Sequence, residues 1–144
     1  EFIFTHSIQM ANLHEILQGI NLYITHGKYC HKFVPTSHNE IYIEEVEELH
    51  CDHEEADTRL LLHAYQASLS QENIVIKSPD TDVLILMVGH KHAIPADLYF
   101  DTGTGNNRRI ISIQSINESL GPDLSAALIG FHAFTGKKLV FSYS

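Results

Sequence analysis

Basic residues are scarce in this chain. Nine Lys and Arg stand against eighteen Asp and Glu, giving a formal net charge of -9. A surface of that sign repels polyanions at long range and argues against a basic nucleic-acid binder. Long apolar runs are also missing. No stretch approaches the roughly 18 residues that a bilayer-spanning helix needs, so no membrane partner is expected. The longest candidate, Val83 to Gly89, reads as a core strand or a short core helix. Cysteine is limited to Cys30 and Cys51. That is too few to staple a small secreted scaffold, so an intracellular, reduced setting in nucleus or cytoplasm is expected. The opening residues, Glu1-Phe2-Ile3-Phe4-Thr5-His6, lack an initiating Met and the basic, apolar, small-residue order of a signal peptide. The chain therefore reads as a piece of something longer. It carries no internal repeat and no low-complexity tract.

What is present is ordinary for a globular protein: 144 residues, 44% hydrophobic and 19% charged. One core is the expectation at that length, and a single domain over residues 1–144, incomplete at both ends, is the simplest organisation. Ile8, Ala11, Leu13, Ile16 and Leu17 recur at near-helical spacing, and Gly19 follows as a stop. Ile20 to Thr25 alternates like a half-buried strand ending at His26-Gly27, and Pro35 to Asn39 reads as a loop. Glu40 to Glu48 fits either an exposed strand followed by a turn or a fraying helix.

From Asp52 onward the pattern sharpens. Asp52 can cap, Glu54, Glu55 and Asp57 suit the positive end of a helix, and Leu60, Leu61, Ala64 and Ala67 supply an apolar stripe, which predicts a helix from about His53 to Ser68. Ile74-Val75-Ile76 is a short strand leading through Ser78-Pro79-Asp80-Thr81-Asp82 into a second apolar segment, helix or strand. Asp97 to Phe100 and Arg108 to Ile113 flank a Gly/Asn-rich turn and predict a β-hairpin. Ser115 is the expected cap of a helix through Leu120, and Pro122 restarts one through Leu128 or Ile129. Interleaved helices and strands point to an α/β fold with a mostly parallel central sheet flanked by helices and one antiparallel hairpin.

Two acidic motifs stand out. Glu54-Glu55-Ala56-Asp57 opens a helix, where carboxylates are favoured by the dipole alone. Asp80-Thr81-Asp82 follows a strand, where α/β proteins open their ligand crevice, although a turn and helix cap accounts for it equally well. Taken together, the carboxylates suit a hard divalent ion, Mg²⁺ or Mn²⁺, of the kind that phosphoryl transfer uses.

Four blocks carry a family resemblance: His53-Glu54-Glu55-Ala56-Asp57-Thr58-Arg59, Ser78-Pro79-Asp80-Thr81-Asp82-Val83-Leu84, Asp101-Thr102-Gly103-Thr104-Gly105-Asn106 and Gly130-Phe131-His132-Ala133-Phe134-Thr135-Gly136. In this order they resemble a family of uncharacterised, mobile-element-associated animal proteins, over roughly Asp52 to Gly136. The acid spacing of that family is similar to that of the flap-endonuclease-like branch of the PIN nucleases. The resemblance implies a PIN-like fold, hydrolysis of nucleic-acid phosphodiesters, and Glu55, Asp57, Asp80 and Asp82 as catalytic metal ligands, with Glu54 a further candidate ligand. It also implies an aspartate shortly after the last block, where this chain has Lys137-Lys138-Leu139-Val140, and another from a first strand that would precede Glu1. A lysine at ~4 Å from a divalent ion costs several kcal/mol even with surface-like screening. Impaired or lost activity is therefore expected, and a non-catalytic protein or nucleic-acid interaction domain is the alternative.

Weaker patterns stand beside these. Cys30-His31, His38 and His50-Cys51-Asp52-His53 offer zinc ligand types at a spacing that fits no standard finger. Thr102-Gly103-Thr104-Gly105 lacks the Lys-Ser/Thr of a phosphate loop. Arg108 and Arg109 suit either phosphate contact or a solvated face. No Gly-x-Ser-x-Gly elbow is present.

Overall fold

The computed structural model describes residues 14–38, 40–51 and 56–135. The chain divides into two compact units, Glu1–Asp52 and His53–Ser144.

The first unit is an antiparallel meander of β1 (Leu22–His26), β2 (Tyr29–Pro35) and β3 (Ile41–Glu45), in the order β1-β2-β3. Gly27, at φ 57, and Lys28 alone connect β1 to β2. A connection this tight is possible because glycine takes the left-handed conformation without a Cβ clash. The second turn closes where Thr36 N and Oγ1 both donate to the Glu40 carbonyl, at 2.8 and 3.1 Å. Pro35 is tolerated in the central strand because it is the last residue of β2. The β1 ladder has already ended at Leu22 opposite Phe33, so no neighbour on that side requires the missing N–H. Register places Leu22, Phe33 and Ile43 on one face and Tyr23, Lys32 and Glu44 on the other. A 3-10 turn, Glu47–Leu49, then buries Leu49. The open alternative at Glu40–Glu48 thus resolves as strand and turn.

The second unit holds β4 (Asn73–Lys77), β5 (Asp97–Thr102) and β6 (Arg109–Ser112), with β4 parallel and β6 antiparallel to the central β5. Its described helices are α1 (Ala56–Ser68), α2 (Thr81–His90), α3 (Ile113–Leu120) and α4 (Pro122–Thr135). Ile74, Ile76, Leu98 and Phe100 alternate onto one face of the sheet and join Ala64 of α1, Val83, Leu84, Met87 and Val88 of α2, and Ile113 of α3 in a single core. The segment Val83–Gly89 forms a helix rather than a strand, and its buried residues surround most of the helix circumference. Gly89 allows α4 to approach closely, since a Cβ there would collide with Cγ1 and Cδ1 of Ile129. Two side chains fasten α3: Gln114 Oε1 accepts from Leu98 N at 3.1 Å, and Asn117 Nδ2 donates to Val88 O at 3.2 Å.

The expected mostly parallel central sheet, and the PIN-like layout with it, is not what forms. There are two separate three-stranded sheets, one antiparallel and one mixed, and β4–β5 is the sole parallel pair among the described residues. The reason is connection length. Parallel neighbours need a crossover of about a dozen residues or more, which α2 supplies between β4 and β5, whereas Gly27-Lys28 and residues 36–40 permit only hairpins. Two helix boundaries also move. Ser112 rather than Ser115 caps α3, its Oγ accepting from Ser115 N, and α4 continues past Ile129 to Thr135. The expected helix over Ile8–Leu17 lies largely outside the described residues.

Candidate functional site at the carboxyl edge of β4 and β5

Lys77 ends β4 directly opposite Asp101 of β5. From there the chain turns through Ser78 and Pro79 into α2, and three hydrogen bonds set the turn. Ser78 N donates to Asp101 O at 3.1 Å, Asp80 N donates to Ser78 Oγ at 3.1 Å, and Asp82 N donates to Asp80 Oδ1 at 3.1 Å. Asp80 is extended (φ -94, ψ 123) and is the N-cap of α2, with Asp82 in the first turn. Both carboxylates thus sit at the positive end of a helix, just beyond the carboxyl end of a parallel strand, and both are half-buried.

The buried acid of this edge is Asp101, 3% exposed. Arg108, across the turn that joins β5 to β6, grips it in a fork: Nε donates to Oδ1 at 2.9 Å and Nη2 to Oδ2 at 2.8 Å. The Arg108 hydrogen bonds hold the Asp101 carboxyl below its ordinary value; burial opposes them, and the charges of Arg108 and Lys77 add to them. Gly103, at φ 78, has no room for a side chain because a Cβ would strike the Asn107 carbonyl. The turn is therefore compact enough to deliver Arg108 to Asp101.

Asp57 lies half-buried in the first turn of α1. Glu54 and Glu55 lie outside the described residues, as do Asp52, His53 and Lys137-Lys138. Asp80 and Asp82 are brought together by the cap, but among the described residues no three of His, Cys, Asp and Glu gather closely enough to hold a metal ion. The same holds for the described zinc-type side chains Cys30, His31, His38, His50 and Cys51; Cys30 and Cys51 are buried and not joined in a disulfide. Fit to a divalent cation is thus partial. The carboxylate oxygens are right in kind, yet the described donors are too few.

Sequence reasoning missed the Asp101–Arg108 pair. Asp101 was visible only as the first residue of a turn, and Arg108 as a solvated or phosphate-facing cation. Their pairing depends on the β4–β5 register and on the compact turn, neither of which leaves a spacing signature. Elsewhere, His63 on α1 is pushed below its ordinary value, first by burial and then by the positive charge of Arg59 one helical turn earlier.

No family model, no curated protein and no solved structure matches the chain. Among the described residues no helix is long and apolar enough to cross a membrane.

Proposed function

We propose that the carboxyl edge of β4 and β5 is a weak divalent-cation site, for Mg²⁺ or Mn²⁺, of the kind that serves phosphodiester hydrolysis in nucleic acid. Asp80 and Asp82 are its described carboxylates, which Asp57 does not join to make a third, and Glu54 and Glu55 are the candidates for the remainder. The observation that carries this reading is the position of Asp80 and Asp82 on the first turn of α2, immediately after a parallel strand. The motif resemblance to mobile-element-associated proteins supports the substrate class and an intracellular setting in nucleus or cytoplasm; it is a likeness of sequence blocks and carries no claim about fold.

A bound cation supplies a more acidic water and stabilises developing charge on phosphate oxygens. The protein's own part is to hold two carboxylates at a helix N-terminus and to keep Arg108 occupied with Asp101. Activity is expected to be slow. Labelled DNA and RNA oligonucleotides incubated with Mn²⁺ test this: slow cleavage that disappears in Asp80→Asn/Asp82→Asn supports the site, and equal product from both proteins counts against it.

The second reading is a non-catalytic interaction domain. It is favoured by Arg108, which occupies both oxygens of the buried Asp101 carboxylate at this edge. Complete absence of cleavage, together with no response to metal, would select it.

A further inference from the structure

The first unit carries an open sheet edge. Thr36 N bonds to Glu40 O, and Val46 N bonds to Cys30 O, so the ladder alternation turns the backbone groups of Tyr42 and Glu44 toward β2. The N–H and C=O groups of Ile41, Ile43 and Glu45 consequently point away from β2, and among the described residues β3 is an outer strand with β2 its sole neighbour. Two large side chains stand open on it, Tyr42 at 62% and Ile43 at 48% exposure. Its charge is of one sign: Glu40, Glu44, Glu45, Glu47 and Glu48 are all exposed. His50 reaches Glu45 at 3.0 Å, and Lys32 sits opposite Glu44 on the inner side while leaning over the Tyr23 ring.

We propose that the outer edge of β3 receives an extended, basic segment of a partner protein as a fourth strand of the β1-β2-β3 sheet. Main-chain pairing to Ile41, Ile43 and Glu45 supplies the affinity, and alternate side chains supply the selectivity. Residues of the added strand on the Tyr42 and Glu44 face meet a carboxylate and an aromatic ring, which suits Lys or Arg. Residues on the other face meet Ile41 and Ile43, with Glu45 and its His50 partner at the strand's end, which suits Val, Ile or Leu opposite the two isoleucines. The preferred segment alternates basic and apolar residues. Edge charges commonly prevent strand pairing: a neutral newcomer would desolvate the glutamates without compensation and an acidic one would be repelled, whereas a basic one is attracted.

Peptides of about six residues, the usual length of a strand, provide the probe: Lys-Val repeats against Glu-Val repeats, titrated into the whole chain and followed by NMR. The Lys-Val peptide is expected to bind, weaken with salt, and slow hydrogen exchange at the Ile43 and Glu45 amides. Ile43→Pro removes an outward N–H without touching the β2 ladder, a placement proline tolerates on edge strands, and is expected to lower affinity about tenfold or more. Glu44→Lys/Glu47→Lys, two exposed changes, is expected to abolish binding. Undiminished binding by Ile43→Pro, unchanged exchange at Ile43 and Glu45, or equal binding of the Glu-Val peptide would each overturn the proposal. So would self-association of the chain that Ile43→Pro dissolves, which would assign the edge to a second copy.

Discussion

Asp80 is asked to do two things, and substitution can separate them. As N-cap of α2 it accepts the Asp82 amide at 3.1 Å. Alanine cannot accept, so Asp80→Ala should destabilise the metal-free protein by about 1 kcal/mol, within a range of roughly 0.5–2. Asparagine is as good a cap as aspartate, so Asp80→Asn should stay within a few tenths of a kcal/mol, with any deficit from the lost charge at the helix start. For a unit of this size about 1 kcal/mol moves the thermal midpoint by roughly 4–8 °C, well within reach of calorimetry or circular dichroism in EDTA. If Asp80→Ala melts with the wild type, the cap contributes nothing and the turn is held otherwise. If Asp80→Asn falls as far as Asp80→Ala, the negative charge rather than the acceptor is what α2 requires, and the cap argument fails.

Gly89→Ala gains up to about 1 kcal/mol of helix propensity but drives a methyl into Ile129, an overpacking cost of about 1–3 kcal/mol. Net destabilisation is expected, with Ile129→Ala in the Gly89→Ala background relieving the clash; a more stable single variant would refute the close α2–α4 approach. His63 has a folded value below its ordinary 6.5, so it is stabilising for the folded state to keep it neutral. That stability is full above about pH 6.5 and is lost as pH falls through the folded value. His63→Gln should flatten the stability profile on that acid side, and an unchanged slope would show that the histidine is not the titrating group. Asp101 has its folded value below the ordinary 3.8. Its contribution is present above that pH and is lost as pH falls through the folded value. Arg108→Gln should lower stability at neutral pH and remove this acid-side loss, checked by denaturant melts across the acid range.

Local structure was legible wherever period and punctuation agreed. Ile74-Val75-Ile76 became β4, the stripe Leu60, Leu61, Ala64, Ala67 became α1, and the Gly/Asn-rich turn after Asp101 joined an antiparallel pair. Tyr29–Val34 carries no readable strand signal because its buried positions, Cys30 and Phe33, are odd-spaced and break strand alternation, and Pro35, expected in a loop, is instead the last residue of β2. The sheet arrangement failed for a related reason: interleaved helices and strands imply parallel pairing only when each connection is long enough, and the short link at Gly27-Lys28 outweighs the interleaving. At the candidate site, the turn and cap at Asp80 were readable from Ser78-Pro79-Asp80, since those residue types favour that geometry locally. The Arg108 grip on Asp101 was not, because a long-range side-chain fork leaves no trace in residue spacing.

The most direct test of the proposed site is a thermal melt with rising Mn²⁺ on the wild type and on Asp80→Asn/Asp82→Asn. A ligand that binds only the native state at about ten times its dissociation constant adds about 1.4 kcal/mol, a shift of several degrees. The account expects that rise at about 10 mM Mn²⁺ in the wild type and none in the double variant. A wild-type midpoint that does not move, or a shift of equal size in both proteins, would contradict it.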